Sequence, residues 1–444
     1  MQRAKMFTMG LVLLALFVGI LPDCAEAGDF TYGADLRVRQ TKFTNVRLRV
    51  PATLDWNMFR IRPRVWGQYA INENTTVRCQ ITNEFRHWLE PQSKIDADVQ
   101  KFPDEWGIDN LYVDLKGLAG GNLDLRIGRQ NIIYGTGKVI LDGTPGDGSR
   151  TIYMDAIKTT WKGFDSMTID ILGIYNSAEN LLVVNGQDLP LTNYTGKDTE
   201  LESDEAGLGI YIKHKGLTEN MPFEAYYLLK TEAEYGAVPS ASINTIGVRL
   251  MPKLSDSLSG NLELAYQMGS QGDFDRSGMM VDAKLSMKIA AMSKYKASAS
   301  LGFYMLSGDD PTTADDEGWT PAFSRWPQYS ELYIYSMAAN RASVADWSNM
   351  MLPYVELKCV PHAKVSTAIL AGMMSALEKD GAGGESDRGM LLTMWNKVKI
   401  KQGIFREADA LNGHLLLEMV KTGDYHDVTD TMTWIRWEFM YSFK

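Results

Sequence analysis

Phe59-Arg60-Ile61-Arg62-Pro63-Arg64-Val65-Trp66-Gly67-Gln68-Tyr69 separates, taken two residues at a time, into two unlike sets. Phe59, Ile61, Pro63, Val65, Gly67 and Tyr69 form one; Arg60, Arg62, Arg64, Trp66 and Gln68 form the other. Successive side chains on a strand point to opposite faces, so this strand is apolar on one side and strongly basic on the other. A soluble sheet gains little from a row of arginines turned to bulk water. A transmembrane barrel strand turns its apolar face to lipid and its polar face to a lumen, with about ten residues crossing the hydrocarbon. That reading requires many more strands of the same pattern and a closing edge.

The same alternation recurs along the chain. Phe30 to Val38 precedes the arginine strand, and Val77 to Phe85 follows it with Arg78, Gln80, Thr82, Glu84 and Arg86 opposite. Leu111-Val113-Leu115 and Leu123-Leu125-Ile127 flank a glycine-rich hairpin turn at 117–121. Further alternating runs cover 152–161, 167–175, 206–213, 223–230, 246–250, 258–268, 279–287 and 297–305, and then 351–359, 365–373, 389–400 and 411–419. The last runs through Ile435, Trp437, Phe439, Tyr441 and Phe443, with Lys444 after the final aromatic. The count is about eighteen, an even number as single-chain bacterial barrels require. Short connections near 117–121, 163–166 and 215–221 contrast with long ones near 88–106, 131–151, 177–205, 307–349 and 377–388. The expected fold is all-β: a transmembrane antiparallel up-and-down barrel with long extracellular loops and short periplasmic turns.

The first residues read as an export signal. Arg3 and Lys5 precede the apolar run Leu11–Leu21, and Ala25-Glu26-Ala27 is a small-x-small cleavage site. Residues 1–27 are thus a cleaved signal peptide, and 28–444 a single barrel domain. The formal net charge of −10 is unchanged by their removal and argues against nucleic acid as a partner. Cys79 and Cys359 remain, each on an apolar parity, which supports neither a disulfide framework nor a metal or haem site. The run Leu11–Leu21 is too short to span a bilayer as a helix. The histidines are scattered and no Ser/His/acid spacing suggests catalysis, so neither an enzyme nor a cofactor is expected.

The polar parity collects Arg37, Arg39, Arg60, Arg62, Arg64, Arg78, Arg86 and Arg126, with Asp35, Glu84, Asp114, Glu418 and Glu438 interleaved. A base facing lipid at mid-bilayer costs about 2–4 kcal/mol, so these residues belong inside. Arginine holds carboxylates in bidentate fashion, and a basic ring favours anions. Most of these charges are expected to neutralise one another along the wall. The Arg60-Arg62-Arg64 row, with fewer acids nearby, is expected to face the pore.

Two stretches carry more than a pattern. Tyr112-Val113-Asp114-Leu115-Lys116 leads to Leu125-Arg126-Ile127-Gly128-Arg129-Gln130, then to Tyr134-Gly135-Thr136-Gly137, Ser149-Arg150 and Asp155-Ala156. Tyr304-Met305-Leu306-Ser307-Gly308-Asp309-Asp310 follows later. Both resemble the alginate-export family of outer-membrane barrels, and with the strand count and final aromatic the resemblance spans 28–444. It implies a monomer in the lipid and lipopolysaccharide of a Gram-negative outer membrane. It further implies periplasmic export partners, and an electropositive constriction conducting an anionic polysaccharide. By motif, Arg126, Arg129 and Gln130 belong near that constriction. Arg129 falls on the lipid parity, so a bend at Gly128 or the strand's end must reorient it, or it is an interfacial arginine.

Within 309–317, Asp309, Asp310, Asp315 and Asp316 are calcium candidates set against a solvated surface loop. Trp319 to Tyr335 is aromatic enough to fold inward as a plug or to lie at the interface. The functions that follow are an anionic oligo- or polysaccharide channel, a general anion or small-solute porin, or a non-conducting receptor or adhesin.

Overall fold

A computed structural model describes residues 28–47, 53–97, 102, 106–141, 153–178, 182, 203–216, 218–324, 329–332, 348–380, 383–426 and 430–443. The expected signal peptide, 1–27, lies outside the described residues. Within them the alternating runs become eighteen wall strands, each antiparallel to its neighbours. In chain order the first nine are β1 (Phe30–Arg47), β2 (Thr53–Asn72), β3 (Thr75–Asn83, continued past Glu84 as Phe85–Glu90), β4 (Trp106–Leu118), β5 (Leu123–Gln130), β6 (Met154–Trp161), β7 (Met167–Asn176), β8 (Glu205–His214) and β9 (Phe223–Glu232). The second nine are β10 (Ala241–Leu250), β11 (Leu258–Gln271), β12 (Phe274–Lys288), β13 (Ser298–Leu306), β14 (Met350–His362), β15 (Val365–Ser375), β16 (Asp387–Gln402), β17 (Ala410–Lys421) and β18 (Thr431–Phe443). Both parts of β3 pair with β2, so they are one strand interrupted at Glu84.

The sheet closes on itself. β1 pairs with β18 from Ala34 opposite Phe443 to Thr44 opposite Thr433, and Trp437 Nε1 donates to Gln40 Oε1 across the seam at 3.0 Å. Closure leaves no open sheet edge, which hydrocarbon requires because it offers backbone groups no partner. No helix among the described residues is long and apolar enough to cross a membrane, so crossing falls to the strands.

Burial follows the sequence parity. Leu208, Leu301 and Met373 are 60–71% exposed on the outside, whereas Arg37, Arg39, Arg60 and Arg62 are at most 2% exposed within. Apolar side chains out and charged side chains in is the inverse of a soluble barrel and fits lipid around a polar interior. The connection between β11 and β12, Gly272-Asp273, departs from the alternation of lengths: it is a two-residue turn on the long-loop end.

Two long connections fold into the barrel. Segment 131–141 follows β5, and 307–324 with 329–332 follows β13. They meet inside, where Ile140-Leu141 pairs in parallel with Phe323-Ser324. Trp319, Phe323 and Leu332 are buried there, so of the two courses open to the aromatic segment its described part takes the inward one. The wall makes room for it: a Cβ on Gly207 of β8 would stand 2.5 Å from the Phe323 ring.

The first inward segment starts from a strained strand end. Gly128 has φ +120°, and a Cβ there would lie 2.2 Å from the Leu111 carbonyl oxygen of β4. Only glycine tolerates both the dihedral and the approach. Gly128→Ala is expected to lose at least about 1–3 kcal/mol of barrel stability, read as a lowered urea midpoint in detergent.

Candidate functional site

Register places the arginines against one another. Arg37 stands opposite Arg62 and Arg39 opposite Arg60, while Arg60 also faces Arg86 of β3. Like charges directly opposite on one face repel, so the arrangement needs carboxylates between them. Glu84, at the break in β3, supplies one: it accepts from Arg37 in a short contact and from Arg60 Nε at 2.8 Å. Glu438 on β18 supplies the second, 2.9 Å from Arg39 Nε and 3.8 Å from Arg37 Nε. Asp35 holds Arg64 through both oxygens at 2.8–3.0 Å. Arg37, Arg39, Arg60 and Arg62 are almost wholly buried, whereas Arg64, with 18% of its side chain exposed, and Arg86 are partly exposed. A buried charge persists only when paired, so the network fixes the arginines in place.

The row extends past β1 and β2 on both sides. On β18 Arg436 donates from Nε to His414 Nε2 of β17 at 3.0 Å and lies over the Trp395 ring of β16. On β3 Arg78 lies 4.4 Å from the Trp66 ring centre, and Arg86 lies over Trp88. On β5 Arg126 grips Asp114 in bidentate fashion at 2.6 and 2.8 Å and covers Tyr112.

Arg129 and Gln130 lie elsewhere. Arg129 sits opposite Leu111 and Asp155, on the outward parity of Ile127. It holds both oxygens of Asp155 at 2.9 Å, donates to the Ile108 carbonyl and stacks on Tyr153. It follows the bend at Gly128 and is only 3% exposed, and its contacts are with Asp155, Ile108 and Tyr153 rather than with the arginine row. Gln130 Nε2 turns back onto the carbonyls of Gly128 and Ala156 at 3.1 and 2.9 Å, bracing the strand end.

Across the lumen the wall carries tyrosines that the parity lists did not single out as a site. Tyr134 of the first inward segment stacks at 4.0 Å on Tyr211 of β8, which stacks at 5.5 Å on Tyr226 of β9. Their hydroxyls donate in turn to Asp170, Glu224 and Glu263 at 2.7–3.0 Å. Lys138, four residues on, donates to Tyr329 at 2.9 Å and sits over the rings of Tyr304 and Tyr329, with Asp282 at 3.8 Å. Burial pulls its amine below the usual lysine range, while Asp282 and Glu263 hold it up. The Tyr134-Gly135-Thr136-Gly137 motif was the available signal for this inward segment. A long connection gives no parity from which direction could be read.

The calcium candidates are separately engaged. Asp309 accepts from the Glu317 N–H, Asp310 caps Thr312, Asp315 accepts from the Asp275 N–H, and Asp316 pairs with Arg276 at 2.9 Å. Among the described residues no group of three or more His, Cys, Asp or Glu is placed to hold a metal ion.

A family profile described as alginate export matches residues 29–340. No curated protein matches the chain. Solved structures of similar fold include Pseudomonas aeruginosa OccK3 (OpdO), with TM-score 0.57 and 13% identity over 96% of this chain and 99% of that one. The BenF-like porin from Pseudomonas fluorescens Pf-5 has TM-score 0.58 and 10% identity over 94% and 99%. Pseudomonas aeruginosa OpdK, solved with vanillate, has TM-score 0.57 and 10% identity over 93% and 98%. At such identities the likeness is one of fold.

Glu84→Gln takes a charge from between two buried guanidiniums. The variant is expected to be about 3–5 kcal/mol less stable, read as a fall in the temperature at which the barrel loses its folded mobility in gel electrophoresis.

Proposed function

Because the chain belongs to the alginate export family, we propose that its barrel conducts anionic oligo- or polysaccharides through a lumen organised by arginine. Family and fold make it an outer-membrane β-barrel channel; the cargo and its path are our reading. One observation carries it: on β18, β1, β2 and β3, Arg37, Arg39, Arg60, Arg62, Arg64 and Arg436 line one continuous stretch of the inner wall, bridged by Asp35, Glu84 and Glu438 and, at Arg436, by Glu331. These guanidiniums lie where water is scarce, and there electrostatic attraction for an anion is strongest. Guanidinium forks match carboxylates, and rows of them along a wall offer a uronate chain successive, individually weak holds. Conduction needs that weakness, since a cargo held by one deep site would not leave.

In this reading the barrel works as a monomer in outer-membrane lipid and lipopolysaccharide, receiving cargo from periplasmic export partners. Binding of this kind needs no catalytic residue and no cofactor.

The buried inward segments favour a second reading. Trp319, Phe323 and Leu332 fill space a polymer would need, which suits a porin for small carboxylates. OpdK, of the same fold, was solved with vanillate, itself a small carboxylate.

Planar-bilayer recording with the mature chain separates the two. Polyuronate is expected to block an anion-selective current, and the combined Arg60→Gln, Arg62→Gln and Arg64→Gln change to move the reversal potential toward cation preference. Block by glucuronate but not by polyuronate would establish the small-carboxylate porin. A current indifferent to both would sink the carboxylate cargo altogether.

A further inference from the structure

The second inward segment carries a carboxylate of its own into the arginine row. Glu331 is 2% exposed, and its Oε1 lies 2.7 Å from Arg436 Nη1. From there a continuous chain of polar contacts runs along the wall. Arg436 Nε donates to His414 Nε2 at 3.0 Å, His414 Nδ1 stands 3.4 Å from Glu438, and Glu438 holds Arg39 at 2.9 Å. Glu331 therefore stands at the head of the network that ends on Arg37, Glu84 and Arg60.

The turn that bears it is gripped separately. Glu418 of β17 accepts from Ser330 Oγ at 3.0 Å, from the Glu331 N–H at 2.9 and 3.1 Å, and from the Leu332 N–H at 3.1 Å. Those bonds need no particular side chain at 331, and Leu332 provides apolar burial beside it. A neutral side chain would therefore serve for packing alone. An ionised one gives up its water to sit against Arg436, as a carboxylate entering from solution would.

We infer that Glu331 stands in for a cargo carboxylate. Arg436, backed by His414 and Trp395, is a carboxylate subsite that Glu331 occupies, and an arriving uronate displaces it and frees the 329–332 turn from the wall. The inference rests on the carboxylate-conducting reading above, and it adds a competitor and a trigger to it. Displacement follows from differential affinity: cargo binds only the state in which Glu331 has left Arg436, and so draws the population toward it.

The test records the mature chain in planar bilayers, first in sodium chloride and then with sodium glucuronate added as the probe. Glu331→Gln keeps an acceptor for Arg436 and the backbone bonds to Glu418 while removing the competing charge. It is expected to raise open-state occupancy in chloride several-fold. Removing a close charge pair is also expected to lower the half-blocking glucuronate concentration about tenfold. Adding Arg436→Gln should abolish the second gain. Should Glu331→Gln fail to fold, Glu418→Gln, which loosens the turn and leaves Arg436 intact, is expected to shift both quantities the same way. A wild-type channel blocked by glucuronate, with a folded variant indistinguishable from it, overturns the stand-in role alone. If glucuronate blocks neither protein, the carboxylate reading and the stand-in role fall together.

Discussion

A charged side chain in a membrane wall has one place to go. Hydrocarbon outside rejects it, so it turns inward, and once inward and cut off from water it needs a partner. That constraint organises this barrel. The outward parity is leucine, isoleucine, valine and methionine, and the inward parity carries the arginines with Glu84, Glu438 and Asp35 set between them. Closure by β1 on β18 completes the same requirement for the backbone, since every strand then has two neighbours.

The arginine network sets like-charge repulsion against a few shared carboxylates. Too few acids would leave Arg37, Arg39, Arg60 and Arg62 repelling one another at contact distance. The observed solution shares Glu84 and Glu438 between arginines, which fixes the guanidiniums in place. Arg64, more exposed than Arg60 and Arg62 beside it, is held by both oxygens of Asp35 and so keeps a defined orientation. The tyrosine wall differs: there each hydroxyl meets a carboxylate and the segment 131–141 is fastened by rings as much as by charge.

Much of this was legible in the sequence because a strand has a period of two. The parity of Arg60-Arg62-Arg64 against Ile61 and Val65 decides both fold and facing, and every alternating run became a wall strand. Partner choice was less legible. That Glu84 serves Arg37 and Arg60 depends on register across three strands, and alternation alone does not fix register. Arg129 shows the limit from the other side: alternation puts it on the outward parity opposite Asp155, yet past the bend at Gly128 it is buried, which no period of two foretells. Tyr134, Lys138 and Glu331 come from long connections, where no period tells inward from outward. The gap that Gly207 leaves for the Phe323 ring is likewise visible only once the strands are side by side.

The seam has a consequence for how the protein comes to exist. Glu438 belongs to the last strand and Arg39 to the first, so the network is completed by residues almost the whole chain apart. Such contacts carry the largest loop-closure cost and belong late in folding. Until β18 docks, the early strands hold arginines that lack one of their two shared acids. The interior and the cylinder thus mature together. A half-built sheet has neither a sealed edge nor a settled charge pattern, and the step that makes the molecule watertight to lipid is the step that finishes its interior.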